Sequence, residues 1–216
     1  MIAREGLIFI FSGLTLTVLS IVAASVWDNK VLFFVSLFFG ILTLFCTFFF
    51  RDPQRTPASG ELAIVSPADG KILKIETLKE HPYVGKNVTK ISIFLSVMDV
   101  HINRVPVSGT VEYVKYEPGE FNLAYVDKAS SDNEHTEIGM VSDNGQKIVF
   151  KQIAGIIARR IVCYLKDGDK VNTGDRFGLI RFGSRTEIFL PEGCVINVKE
   201  GDYVKGAKTL IGTLPA

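Results

Sequence analysis

The chain contains 216 residues, and its 24 lysine and arginine residues against 23 aspartate and glutamate residues give a formal net charge of only +1. Such a balance argues against a protein that binds nucleic acid over an extended basic surface. Its three cysteines, Cys46, Cys163 and Cys194, form no CxxC pair, which argues against a disulfide framework or a cysteine-based zinc site and favours a reducing compartment.

Two long apolar segments open the chain. Residues 6–27 and residues 31–50 contain no formally charged side chain, and only three residues separate them. Each segment is long enough to cross the hydrocarbon core of a bilayer, and a spanning helix satisfies its own backbone groups. The pattern predicts a transmembrane helical hairpin over residues 1–50. The alternatives are a signal peptide, or one span followed by a buried segment.

Positive charges flank this hairpin unequally. Arg4 precedes it and Arg51 and Arg55 follow it, whereas the connector holds only Lys30. Because cytoplasmic loops of membrane proteins carry the excess of lysine and arginine, both ends of the hairpin are expected in the cytoplasm. This interpretation places the protein in the cell membrane, with the domain that follows facing the cytoplasm.

The composition changes abruptly after Phe50. Residues 51–57, Arg-Asp-Pro-Gln-Arg-Thr-Pro, have the prolines and mixed charge of a linker. Short β-rich segments broken by Gly, Asp and Pro then fill residues 51–216, which predicts a second domain and a mainly β, membrane-anchored fold. A short helix is compatible with Gln152–Arg160. The expected strands are Ala63–Ser66, Lys71–Ile75, Lys90–Ser96, Gly109–Tyr116, Lys147–Ile153, Arg160–Leu165, Phe177–Phe182, Thr186–Leu190 and Val195–Val198.

A weak internal repeat occurs in this second domain. Residues 166–171 read Lys-Asp-Gly-Asp-Lys-Val, and residues 199–204 read Lys-Glu-Gly-Asp-Tyr-Val. Both copies predict a turn in which Gly takes a positive φ before Val returns to the core. Such turns resemble the hairpins of lipoyl and biotinyl carrier modules. Because neither copy has the acceptor lysine motif of those carriers, they are interpreted as scaffold elements.

The three histidines lie in different settings. His81 and His135 fall in polar segments and are expected to be solvated loop residues. His101 instead follows an apolar strand and shares a short span with Asp99 and with Asn103 or Arg104, at a strand end where functional groups are often presented. No HExxH, GxxxxGK or GxGxxG pattern occurs, so a metal centre and nucleotide chemistry are not expected.

Four motifs occur in a fixed order between Phe49 and Pro191. They are F-F-R-D-P-x-R, S-P-A-D-G with Asp69, D-V-H-I-N-R-V-P with His101, and R-F-G-S-R with Ser184. Each alone is a weak signal, and a Gly-Ser turn is usually only a turn. Together, and behind a pair of apolar spans, they resemble the short prokaryotic form of the pyruvoyl-dependent phosphatidylserine decarboxylase family.

The resemblance implies a proenzyme that cleaves itself between Gly183 and Ser184. The products would be a β chain of residues 1–183 and an α chain of residues 184–216, with Ser184 converted into a pyruvoyl group and no external cofactor. His101, oriented by Asp69, would act as the base. The pyruvoyl group would form a Schiff base with phosphatidylserine, and decarboxylation would give phosphatidylethanolamine for phospholipid biosynthesis.

One position departs from the longer members of that family. They carry a second histidine three residues beyond the one matched by His101, and this chain has Arg104 there. The base for self-cleavage therefore stays open, with His101 oriented by Asp69 or Asp99. Arg104 either binds the carboxylate or phosphate of the substrate, for which its planar fork of donors is suited, or forms a structural ion pair.

The expected partners are a serine phospholipid, the lipid bilayer and the two chains of the cleaved protein for each other. Edge strands of a β domain also favour a homodimer. Three alternatives remain: a decarboxylase of diether (archaeal) serine phospholipids, a non-catalytic membrane-tethered β adaptor, and a serine hydrolase that uses Ser184, His101 and Asp69 without self-conversion.

Overall fold

The computed structural model describes residues 1–60, 62–123, 125, 132–155, 160–181 and 184–215. The chain divides into two compact units, Met1–Gln54 and Arg55–Ala216. The first unit is helical and the second is built from strands. This arrangement confirms the predicted class of a helical hairpin followed by a mainly β domain.

The first unit is a hairpin of two helices, α1 (Arg4–Val26) and α2 (Lys30–Phe49). Both are long and apolar enough to cross a membrane. The side-chain oxygen of Asn29 caps α2 by accepting a 2.9 Å hydrogen bond from the N–H of Val31. Gly13 lies directly against Thr43, leaving no room for a Cβ atom, so a small residue lets the two helices approach closely.

The second unit contains strands that range from two to twelve residues. Among the described residues they are β1 (Ala63–Val65), β2 (Gly70–His81), β3 (Gly85–Leu95), β4 (Ile102–Arg104), β5 (Gly109–Glu117), β6 (His135–Ser142), β7 (Lys147–Ile153), β8 (Ile161–Cys163), β9 (Lys170–Val171), β10 (Arg176–Ile180), β11 (Ser184–Leu190), β12 (Val195–Ile196), β13 (Tyr203–Val204) and β14 (Leu210–Thr213).

These strands form one large sheet and two small ones. The eight-stranded sheet has the order β13-β2-β3-β11-β7-β6-β5-β9, and the three-stranded sheets have the orders β4-β10-β8 and β1-β14-β12. All of the paired strands are antiparallel. Strand β11 therefore lies inside the large sheet, with β3 on one side and β7 on the other.

The core lies against one face of the large sheet. Alternate residues of β11 and β3, such as Ile188, Ile91 and Ile93, are fully buried there together with Phe150 of β7. Phe177 of the small β4-β10-β8 sheet belongs to the same cluster and packs edge to face on Phe150, with ring centroids 4.8 Å apart. The period-2 alternation of a strand accounts for this one-sided burial.

The internal repeat forms matching turns at opposite edges of the large sheet. In each copy the Asp carboxylate accepts a hydrogen bond from the N–H three residues earlier, at 2.8 Å for Asp169 and 2.9 Å for Asp202. Gly168 and Gly201 have φ of 87° and 91°. The turns lead into the two edge strands, β9 and β13.

Three local predictions were wrong. His81 is not solvated: it ends β2, is buried, and packs its ring 4.9 Å from that of Phe189. His135 is not in a loop but begins β6. The suggested helix over residues 152–160 begins instead with strand residues, because Gln152 belongs to β7, and residues 156–159 lie outside the described residues. Strand pairing decides the conformation in each case, with Gly85 across the β2–β3 hairpin for His81 and with more distant strands for His135 and Gln152.

Candidate active site

The segment that contains β3 and β4 pairs twice with the segment that contains β10 and β11. These pairings bring the His101 motif and the Ser184 motif together. Strand β11 pairs with β3, where Ser184 lies opposite Leu95, and β10 pairs with β4, where Leu179 lies opposite Ile102. Both segments therefore leave the large sheet and enter the same small sheet. Leu95 and Ile102, which border the connection that carries His101, are therefore paired with Ser184 and Leu179, which border the Gly-Ser motif.

Ser184 is the first residue of β11. Its side chain is fully buried, and its Oγ makes no hydrogen bond with any described residue. A buried hydroxyl without a partner costs about 1–3 kcal/mol, so it calls for a functional explanation. Gly183, the other half of the predicted cleavage site, lies outside the described residues.

His101 is buried at the end of the connection that follows β3. Its Nδ1 lies 3.0 Å from the backbone carbonyl oxygen of Asp99, and the residue is only 2% exposed. A carbonyl oxygen can only accept a hydrogen bond, so Nδ1 carries a proton. Nε2 is then the ring nitrogen that can accept a proton, as a general base must.

The carboxylate of Asp99 holds the turn that precedes His101. One oxygen accepts a 2.8 Å hydrogen bond from the N–H of Ser96, and the other accepts a 2.6 Å hydrogen bond from the hydroxyl of Tyr203. This hydrogen bond, and then burial, raises the pKa of Tyr203. Sequence reasoning missed the role of Tyr203. The only hint in the sequence is that the two copies of the repeat differ there, with Tyr203 in the second copy and Lys170 in the first.

Asp69 lies in the turn between β1 and β2, where it is ion-paired with Arg55. Its two oxygens accept from the guanidinium of Arg55, at 2.7 Å for the Oδ2–Nη2 pair, and Oδ1 also accepts from the N–H of Gly206 at 2.8 Å. No hydrogen bond or ion pair joins Asp69 to His101 within the described part of the chain. Of the two orienting partners left open by the sequence, Asp99 makes the contact, through its backbone rather than its carboxylate.

Arg104 is buried in β4 and is 4% exposed. Its Nη1 donates to the carbonyl oxygen of Gly174 at 3.0 Å, and its backbone N–H donates to that of Pro67 at 2.8 Å. The second bond ties the Ser-Pro-Ala-Asp-Gly turn to the segment that carries His101. The described contacts thus give Arg104 a structural role.

A buried amide pair lies on the same face of the sheet as Ser184. The Nε2 of Gln152 donates to the Oδ1 of Asn103 at 2.8 Å, and Thr186 lies directly opposite Gln152 in the β7–β11 pairing. All three side chains are fully buried. They connect β4, β7 and β11 close to Ser184, and sequence reasoning missed the parts of Gln152 and Thr186.

The cysteines of the second unit are poor candidates for a nucleophile, and no cluster of metal ligands occurs among the described residues. Those residues contain no group of three or more His, Cys, Asp or Glu side chains that could hold a metal ion. Burial raises the pKa of the Cys163 thiol, and burial raises that of Cys194 to about 11. Both thiols are therefore protonated, and poorly nucleophilic, near neutral pH.

Comparison with known proteins gives a consistent family assignment. The family model described as phosphatidylserine decarboxylase matches residues 42–212. A phosphatidylserine decarboxylase proenzyme of Geobacter metallireducens is 42% identical over 214 residues, which cover 99% of this chain and 97% of that protein. One of Pelobacter propionicus is 42% identical over 213 residues (99% and 96%), and one of Granulibacter bethesdensis is 47% identical over 175 residues (80% and 72%).

Proposed function

This chain belongs to the phosphatidylserine decarboxylase family, and on that premise we propose that it decarboxylates phosphatidylserine to phosphatidylethanolamine by means of a pyruvoyl group made from its own Ser184. The observation that carries the proposal is that the Oγ of Ser184 is buried and makes no hydrogen bond with a described residue. Ser184 begins β11 and is paired with Leu95, the last residue before the connection that carries His101. A buried hydroxyl of this kind fits a residue that is consumed during maturation.

Self-cleavage follows from the residue types at positions 183 and 184. Ser184 Oγ attacks the carbonyl carbon of Gly183, the amide bond breaks, and an ester replaces it. Elimination then breaks the Cβ–Oγ bond, leaving a carboxylate on Gly183 and dehydroalanine at position 184. Water finally displaces the nitrogen as ammonia, which leaves the pyruvoyl group at the start of residues 184–216.

His101 supplies the base that this sequence of steps needs. Its Nδ1 donates to the carbonyl of Asp99, so Nε2 is the nitrogen that can take up a proton. It removes the proton of Ser184 Oγ in the first step. We assign Asp69 a role in holding the Ser-Pro-Ala-Asp-Gly turn in place instead, since its carboxylate is bound by Arg55 and by the N–H of Gly206.

The pyruvoyl group would supply a ketone for the amine of the substrate and an acceptor for the electron pair released when CO2 leaves. His101 in its protonated form then donates a proton to the carbon that carried the carboxylate, since imidazole titrates near neutral pH. We assign the guanidinium of Arg104 to the substrate's carboxylate or phosphate, which its planar fork of donors suits, beside its bond to Gly174.

The two chains of the mature protein would stay together through the large sheet. After cleavage, residues 184–216 still contribute β11, which pairs with β3 on one side and with β7 on the other. Residues 184–216 also contribute β14, which pairs with β1 of the other chain. These ladders and the shared core hold the products without a covalent link.

The helical hairpin would keep the catalytic domain at the bilayer that contains its substrate. Its two apolar helices fit a membrane anchor, and the excess of arginine at its ends favours a cytoplasmic catalytic domain. The edge strands β9 and β13 have only two residues each, which is too short for strong edge pairing. A homodimer would therefore need a different surface.

The intact masses of the purified protein test this proposal. Two chains that correspond to residues 1–183 and 184–216, with a ketone at the start of the shorter one, are expected together with release of CO2 from phosphatidylserine. A single uncleaved chain without decarboxylase activity would contradict it and favour an adaptor. A single chain that hydrolyses esters would favour a serine hydrolase. Diether and diacyl serine lipids assayed side by side identify the preferred tails.

A further inference from the structure

A buried ionic cluster lies on the face of β11 opposite Ser184. Nη2 of Arg185 donates to Oγ of Ser92 at 2.7 Å and lies 2.9 Å from Oε1 of Glu187, and Oγ of Ser92 donates to the same Oε1 at 3.0 Å. The three groups close a triangle. Their exposed fractions are 1%, 0% and 1% for Arg185, Ser92 and Glu187. We call Arg185, Glu187 and Ser92 the strand anchor.

We propose that Arg185 is a positioning residue, which through the strand anchor fixes the residue at position 184 after cleavage has made it a chain end. This inference rests on the proposed function, because it concerns the cleaved enzyme. Ser184 and the anchor belong to one strand but to opposite faces, so Arg185 is not expected to touch the substrate.

The pairing of β11 shows why an anchor is needed at this point. Ser184 is paired with Leu95 of β3, whereas the pairing with β7 begins only at Arg185, opposite Ile153. Position 184 is thus held by a strand on one side alone. The first residues of a chain fray unless they are tied down, and cleavage removes the covalent tie to residue 183.

The anchor also fixes the register of β11. Side chains alternate along a strand, so a shift by one residue would move Arg185 and Glu187 into the apolar core and Ser184 to the opposite face. The polar triangle with Ser92 exists in a single register, since Glu187 lies directly opposite Ser92. Burying such charges is costly, and apolar residues often stabilise a fold as well or better. Stability alone is thus a weak reason for the cluster.

The test replaces the anchor without leaving a lone buried charge. The double variant Arg185→Met/Glu187→Leu removes both charges and fills their volume with apolar side chains, so it is expected to fold even if Arg185→Met does not. We expect its kcat on phosphatidylserine to fall about 10- to 100-fold after complete cleavage, with KM within about twofold of wild type, because small misplacements of a reacting group have effects of this size. Arg185→Lys should recover part of kcat.

Lys151→Met provides the matched control. It breaks the Lys151–Glu137 ion pair on the same face of the sheet, where Lys151 lies directly opposite Glu187 on β7, but it leaves the contacts of Arg185 with Glu187 and Ser92 in place. Its kcat should stay within about twofold of wild type. If the double variant is folded and has wild-type kcat, or loses no more than Lys151→Met, Arg185 is not a positioning residue.

A second measurement separates this inference from the proposed function. Amide hydrogen exchange at Arg185 and Thr186 is compared between the double variant and the wild type, and again with Ser184→Ala added to each to prevent cleavage. We expect the double variant to exchange about tenfold or more faster than wild type in the cleaved protein, and much less so when cleavage is blocked. Unchanged exchange in the cleaved protein overturns the anchor. A wild type that never cleaves overturns the proposed function instead.

Discussion

His101 Nδ1 lies 3.0 Å from the backbone carbonyl oxygen of Asp99, two residues earlier in the chain. The contact fixes the tautomer of the ring through a group that has no charge and does not titrate. The carboxylate of Asp99 is then available for the turn, where it accepts from Ser96 and Tyr203. One aspartate thus orients the ring by its backbone and holds the connection by its side chain.

Ser184→Ala should abolish both cleavage and decarboxylation. Alanine has no oxygen for attack on the carbonyl of Gly183 and no leaving group on Cβ, so neither the ester nor the pyruvoyl group can form. Denaturing electrophoresis and intact mass should show one chain of 216 residues.

Ser142→Ala is the control for this prediction. It removes a hydroxyl from the end of β6, where Ser142 bonds to Asn144 and Gln146, and it should cleave normally. Two chains in the Ser184→Ala protein would show that the scissile bond is elsewhere.

The pattern of apolar residues predicted best those strands that are strongly buried and bordered by turn residues in the sequence. Lys147–Ile153 was predicted with the bounds that β7 has, since its apolar residues are bordered by turn residues. By contrast β2 and β3 are longer than expected, because charged residues such as Glu76 and Lys90 lie on the less buried face and pair with each other. Strands of two or three residues, such as β4, depend on pairing across the fold and leave little local signal.

The site was predictable to the extent that its motifs are contiguous. Ser184, His101 and Asp99 could be proposed because they lie in recognisable short segments, whereas the pairing of those segments is long-range and no local pattern encodes it. The Arg55 partner of Asp69 lies fourteen residues away, and Tyr203 reaches Asp99 from 104 residues away. A single sequence does not show such contacts.

A shortened chain that begins at Arg51 should still cleave itself. Every proposed reactive group lies in the second unit, which has its own core, and Arg55, which is bound to Asp69, is retained. Mass spectrometry of the shortened protein should show cleavage at the rate of the full chain in detergent. A folded domain that fails to cleave would mean that the hairpin contributes to the site.

Tyr203→Phe should reduce kcat about 2- to 10-fold, because it removes one hydrogen bond to the Asp99 carboxylate and loosens the turn before His101. The bond from Ser96 remains, so the effect should be much smaller than that of losing His101. Tyr116→Phe, at another exposed tyrosine, should have wild-type kcat. Equal activity of both variants would remove Tyr203 from the site.

His81 should make the stability of the domain depend on pH. Burial lowers its pKa, and its Nδ1 faces the N–H groups of Tyr83 at 3.3 Å and Val84 at 3.5 Å, so the folded protein favours the neutral ring. Glu137 opposes this shift and Lys151 adds to it. The unfolded chain binds the proton more readily, so stability should fall as pH drops below about 6.5 towards the lower folded pKa.

His81→Phe measures that contribution. It keeps a ring against Phe189 and removes the titrating group. Melting temperatures measured between pH 8 and pH 5 should decline less steeply for the variant than for the wild type. Parallel curves for the two proteins would show that His81 does not titrate differently in the folded and unfolded states.

His101→Ala separates the two parts that we propose for this residue, since cleavage is a single intramolecular event and decarboxylation must repeat. Turnover of fully cleaved enzyme should fall about 10²- to 10⁴-fold because the acid that protonates carbon is lost. Cleavage should be slower but complete over hours, because the reacting groups at positions 183 and 184 are neighbours in one chain.

His135→Ala is the matched control for this prediction. The Nδ1 of His135 lies 2.9 Å from the carbonyl oxygen of Asn133, two residues earlier, as that of His101 does from Asp99. The control variant should turn over normally. If cleaved His101→Ala enzyme decarboxylates at the wild-type rate, His101 is not the proton donor, and Asp99, Asp69 or a bound water takes that role.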